Sequence, residues 1–177
     1  MRRLTGIATA FLIVAPGIAQ AADEPPCLTA GEFTALAGYS MPSIISGTSQ
    51  RCAATLAPGA YLRKSGNELV ARYAQRKPAN WPGAKSAFLK VSSTTGNDAG
   101  KLLRDMPDRS LQPMLDAMIE GMVAQQIPLE RCTVIDRVVR LLAPLPPENS
   151  AEVIALAVGL GARSKQAKIG KFSICQG

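Results

Sequence analysis

Four cysteines and no histidine constrain this chain more than any other feature of its sequence. Cys27, Cys52, Cys132 and Cys175 span nearly the whole of a 177-residue chain. An even number favours disulfides where the compartment is oxidising. The N-terminus points to such a compartment. Arg2 and Arg3 give a positive start, Ile7 to Ile18 is almost wholly apolar, and Ala19-Gln20-Ala21 places small residues at the two positions a signal peptidase inspects. Those are the three parts of a secretory signal. Residues 1–21 are therefore expected to be a cleavable signal peptide and 22–177 a single helical domain, periplasmic or secreted. Cys27 follows Glu24-Pro25-Pro26, which argues against lipid attachment. The apolar stretch is shorter than the ~20 residues a membrane span needs. Val153 to Leu160 is shorter still, so no transmembrane segment is expected in the mature chain.

Four cysteines allow three pairings. The expected one is Cys27–Cys52 with Cys132–Cys175, because each then closes a short loop within one half of the chain. A metal site is not expected: there is no C-x-x-C pair and no histidine, so a zinc site lacks its usual ligand spacing.

Helical periodicity dominates the rest. Thr29-Ala30-Gly31-Glu32 has the form of a capping box ahead of Phe33, Leu36 and Ala37. Ser40-Met41-Pro42 reads as a second helix start, and Ser65-Gly66-Asn67-Glu68 as a second capping box before Leu69, Val70 and Tyr73. A break is expected near Lys77-Pro78, a turn or start at Trp81-Pro82-Gly83, and a loop over 92–100. Leu111, Met114, Leu115, Met118, Ile119, Met122 and Val123 recur at three- and four-residue spacing, as do Leu129, Cys132, Ile135, Val138, Val139 and Leu142. Both stripes read as core-facing. Pro144, Pro146 and Pro147 force a linker before a last helix that is apolar on every side and is expected at the centre. The fold class is mainly α: a compact bundle of six to eight short helices stapled by two disulfides.

No reaction motif stands out. Without histidine, a serine or cysteine nucleophile lacks its usual base, and no S-x-x-K offers a lysine instead. Lys64-Ser65-Gly66 alone is better explained as a helix cap. Neither a glycine-rich phosphate loop, a dinucleotide fingerprint nor a C-x-x-C redox pair is present, so no cofactor is expected. Asp116 and Glu120, four residues apart, could serve a glycan hydrolase only if they faced each other across a cleft; they read as a solvated helix face. Met114, Met118 and Met122 offer thioethers that suit cuprous copper, but methionine more often fills core gaps.

One positive signal remains. Between 61 and 90, seven cations (Arg63, Lys64, Arg72, Arg76, Lys77, Lys85, Lys90) stand against the single acid Glu68. Tyr61, Tyr73, Trp81 and Phe88 are interleaved, and Arg163, Lys165, Lys168 and Lys171 follow in the tail. Loss of Arg2 and Arg3 with the signal lowers the formal charge from +7 to +5. A basic face with aromatics can hold an anionic polymer. The candidate binding residues are Arg63, Lys64, Arg72, Arg76, Lys77, Trp81 and Lys85. The expectation is an exported cell-envelope accessory protein without catalytic activity, binding an envelope polyanion or another envelope protein, and not nucleic acid. A helical module for a small apolar ligand or lipid is the alternative, and a carboxylate-dependent glycan hydrolase a third.

Overall fold

Thr29 opens the longest helix. Its hydroxyl oxygen accepts the Glu32 amide at 3.2 Å, while the Glu32 carboxylate accepts the Thr29 amide at 3.0 Å, the reciprocal pairing the sequence shows. In the computed structural model, which describes residues 27–93, 97–163 and 175, helix α1 runs Ala30–Cys52. It is followed by α2 (Tyr61–Ala74), α3 (Lys77–Ser93), α4 (Asn97–Asp105) and α5 (Asp108–Gln126). A 3₁₀ turn at Leu129–Arg131 then leads to α6 (Cys132–Leu142) and α7 (Pro147–Arg163). These are seven α-helices with no strand among the described residues, the mainly-α bundle expected from the periodicity. The signal segment 1–21 and the tail lysines 165, 168 and 171 lie outside the described residues.

The expected helix start at Ser40-Met41-Pro42 is not one: α1 continues through Pro42. An interior proline removes a backbone donor and clashes with the preceding turn, at a cost of about 3 kcal/mol. Burial offsets it. Helix α1 packs against α2, α3, α5 and α7, burying Phe33, Tyr39, Ile45 and Cys52. The central position therefore belongs to α1 and not to the last helix, as the sequence suggested. On α7, Ser150 and Ala151 are buried but Val153 and Leu156 are 46% and 61% exposed.

Close approach is what α1 gains from its small residues. A Cβ on Gly47 would lie 2.6 Å from the Glu120 carbonyl oxygen of α5. One on Gly83 of α3 would lie 2.6 Å from the Ala35 methyl of α1. Neighbouring helices thus rest almost backbone to backbone on the hub. Two larger apolar groups fill the remaining space: Ile45, Leu56, Leu62, Leu69 and Tyr73 around Cys52 and Cys132, and Tyr39, Trp81, Phe88, Leu111 and Leu115 under α3 and α5. The buried Tyr73 hydroxyl donates to Ser150 Oγ at 2.7 Å, tying α2 to α7.

The disulfides differ from the expected pairing. Cys27 joins Cys175 (Cα–Cα 5.0 Å), and Cys52 joins Cys132 (5.5 Å). They close separations of 148 and 80 residues. Loop-closure cost rises only slowly with length, so a preference for short loops does not decide connectivity. Position does. The end of α1 meets the start of α6, and both cysteines there are buried in the apolar group they share. At the other bridge, the Cys175 amide donates to the Leu28 carbonyl at 2.8 Å, so Cys175 lies against the segment that leads into α1.

Helix α2 begins at Tyr61, four residues ahead of the expected box at Ser65. Its N-cap, Ala60, has no side chain to cap with. Asp136 of α6 does this instead, accepting the Tyr61 and Leu62 amides at 3.2 and 2.7 Å.

Candidate interaction surface

Most of the cations expected to form a binding patch hold the fold together. Arg63 donates to the Ala53 and Leu56 carbonyls at 3.0 and 3.1 Å, satisfying acceptors beyond the end of α1. Arg72 donates to the Ala143 carbonyl at the end of α6. Arg76 pairs with Glu148 at 3.6 Å, and Lys85 with Asp108 at 2.6 Å. That lysine holds the Asp108 carboxyl below its usual range. Lys77 pairs with Asp116, its ammonium 4.4 Å above the Tyr39 ring centroid. Lys90 pairs with Glu32 at 2.7 Å. Trp81 is only 7% exposed and lies 5.1 Å from the Tyr39 ring, so it presents no face for stacking. Tyr73 and Phe88 are also buried. Of the seven candidate residues, Lys64 alone is exposed without a partner among the described residues.

Helix α5 is turned relative to its expected orientation. Leu111 and Leu115 are buried, with Ile119 packed beside them. The two acids expected at the solvated face point inward instead. Asp116 accepts Ser43 Oγ of α1 at 3.3 Å and pairs with Lys77 of α3. Glu120 accepts Ser46 Oγ at 2.8 Å and the Gln50 amide. Burial, and then the nearby Asp116 charge, push the Tyr39 phenol well above its usual range. With polar partners on α1 claiming the acids, the methionine ladder faces outward: Met114, Met118 and Met122 are 36%, 44% and 50% exposed. These residues do not fill the core. Beside them Ser110, Pro113, Ala117 and Gln125 are exposed, and a Cβ at Gly121 would meet open space. For about four turns this outer face carries no charge.

On α6 the same inversion recurs in a different form. Its one acid, Asp136, is committed to the start of α2. Outside stand Val134, Val138 and Leu141, the last 67% exposed, with Thr133, Arg137 and Arg140 also exposed. At 100° per residue, Val134, Val138 and Leu141 share one stripe and Arg137 and Arg140 lie along its flank. Val138 was expected in the core with Val139. The structure keeps Val139 partly buried and leaves Val138 at 48% exposure.

The chemistry open to the molecule follows from these positions. Asp116 and Glu120 lie in a helix–helix seam and are engaged by α1 and α3, so they are not opposed across a cleft. A cleft lined by Thr34, Gly38, Arg76, Asn80 and Glu148 holds about 100 Å³, well below the ~300–1,000 Å³ of ordinary small-molecule sites. Among the described residues, no group of three or more carboxylates and cysteines is placed to hold a metal ion. No protein-family model, curated protein or solved structure matches the chain. What distinguishes its surface is two outer helix faces, that of α5 and that of α6, from which Asp116, Glu120 and Asp136 are turned inward; the exposed Glu130 sits in the turn between the two helices. The inward acids and outward methionines were missed because the α5 stripe is broad enough to be read either way. A signal was present: Ser43, Ser46 and Gln50 fall on one side of α1 and can receive two carboxylates spaced a turn apart.

Proposed function

We propose that this is an exported accessory protein of the cell envelope that acts without catalysis, by associating with an anionic envelope component through the outer surface of α5 and α6. The observation that carries this reading is the inward placement of Asp116, Glu120 and Asp136. It leaves apolar side chains with Arg131, Arg137 and Arg140 against one exposed carboxylate, Glu130, so cations outnumber acids where an anion would approach. Three features support the setting. The first 21 residues have the form of a secretory signal. Both disulfides are of a kind that persists outside the cytoplasm. No helix among the described residues is long and apolar enough to cross a membrane, so association falls to the surface of the domain.

The basic segment 61–90 contributes less to this surface than its composition implies, because its cations are mostly engaged within the fold. Fractionation of cells producing the tagged protein tests the reading. Mature protein is expected with the envelope at low salt and in the soluble fraction at about 0.5 M, where charge screening falls to a few ångströms. Protein that stays soluble at low salt contradicts it.

A further inference from the structure

We infer that the anionic component is a phospholipid bilayer surface, and that α6 is the element that enters it. This deepens the proposed function and rests on it. The exposed stripe of Val134, Val138 and Leu141 has the i, i+4, i+7 spacing of a helix lying along an apolar phase. Arg137 and Arg140 flank it, at the level where lipid phosphates sit. Helices that lie in the membrane interface combine an apolar face, sunk about 5–10 Å to the acyl boundary, with a cationic flank. The one acid on α6 would oppose such binding, and it is held inward on the Leu62 amide at 2.7 Å.

Chemistry separates this occupant from its competitors. A polysaccharide carries charge but offers no apolar phase to Val138 or Leu141. A second copy pairing through α6 would set Arg137 and Arg140 against their own equivalents, with Asp136 held inward and Glu130 the one exposed acid beside the helix to set against two arginines. A bilayer with anionic headgroups satisfies both halves of the surface at once.

The test is vesicle flotation with the mature, disulfide-bonded protein, using phosphatidylglycerol-containing vesicles against pure phosphatidylcholine. The protein is expected to float with the first and not the second. Arg137→Gln with Arg140→Gln should lower partitioning by about 30-fold, from roughly 1 kcal/mol for each arginine near an anionic surface. Val138→Asp, at a half-exposed position that tolerates a polar side chain, should lower it by at least about tenfold. Leu141→Asp serves if Val138→Asp fails to fold, as judged by its melting transition. Lys64→Gln should leave binding unchanged. Failure to float with either vesicle overturns the inference, as does binding that survives all the α6 changes. A photo-crosslinker at position 138 in cells tells that failure apart from failure of the functional reading. Crosslinks to an envelope protein, without vesicle binding, remove the bilayer and keep the surface; neither crosslinks nor envelope association removes both.

Discussion

The carboxylate of Asp136 holds the backbone amide of Leu62 at 2.7 Å, so the first turn of α2 is capped by a helix that follows it by more than seventy residues. Helix N-termini leave amides unsatisfied, and losing a side-chain cap typically costs about 1 kcal/mol, within a range of roughly 0.5–2. Asp136→Ala should therefore lower the urea midpoint by about that free energy, and Asp136→Asn should recover most of it. The same measurement on Ser65→Ala should show little change, because Ser65 lies inside α2 and not at its start.

Glu32 makes stability depend on acid pH. Lys90, then Ser86, then the Thr29 amide hold its carboxylate, bringing its pKa from 4.5 to about 2. A carboxyl depressed in the folded state adds stability above its unfolded pKa and loses it as pH falls through the folded value. Urea unfolding followed from pH 6 to pH 2 should show the wild type weakening below about pH 4.5, and Glu32→Gln should flatten that slope. An unchanged slope in the variant would place the acid sensitivity elsewhere.

A non-reducing peptide map should link the peptide of Cys27 to that of Cys175, and Cys52 to Cys132. Both bridges close long loops, for which loop closure predicts about 4–5 kcal/mol. Replacing Cys52 and Cys132 together by alanine should therefore lower unfolding free energy by several kcal/mol. A map that instead links Cys27 to Cys52 would contradict the placement of α6 against the end of α1.

Particular elements show where sequence is informative. The capping box at Thr29 and Glu32 is legible because it is local: four residues contain all of its partners. Helix content is legible for the same reason. The continuation of α1 through Pro42 is not, since what offsets the proline is contact with four other helices. Connectivity of the cysteines is a tertiary fact that loop length scarcely influences. The basic segment misleads in an instructive way. Arg63 and Arg72 look like a patch by composition, yet their donors are taken by carbonyls at the ends of α1 and α6, acceptors that no charge count can reveal.

The rotation of α5 decides the outer face of that helix, which exists only if Asp116 and Glu120 face α1 and the methionines face solvent. Timed oxidation of the native, disulfide-bonded protein by dilute peroxide, read by peptide mass, tests it directly. Exposure governs the rate at which thioethers become sulfoxides. Met114, Met118 and Met122 are expected to gain oxygen well before Met41 and Met106, which are partly buried against the two apolar groups. Protection of the three α5 methionines, with Met41 or Met106 oxidised first, would mean that the ladder faces the core and that α5 offers no outer apolar face.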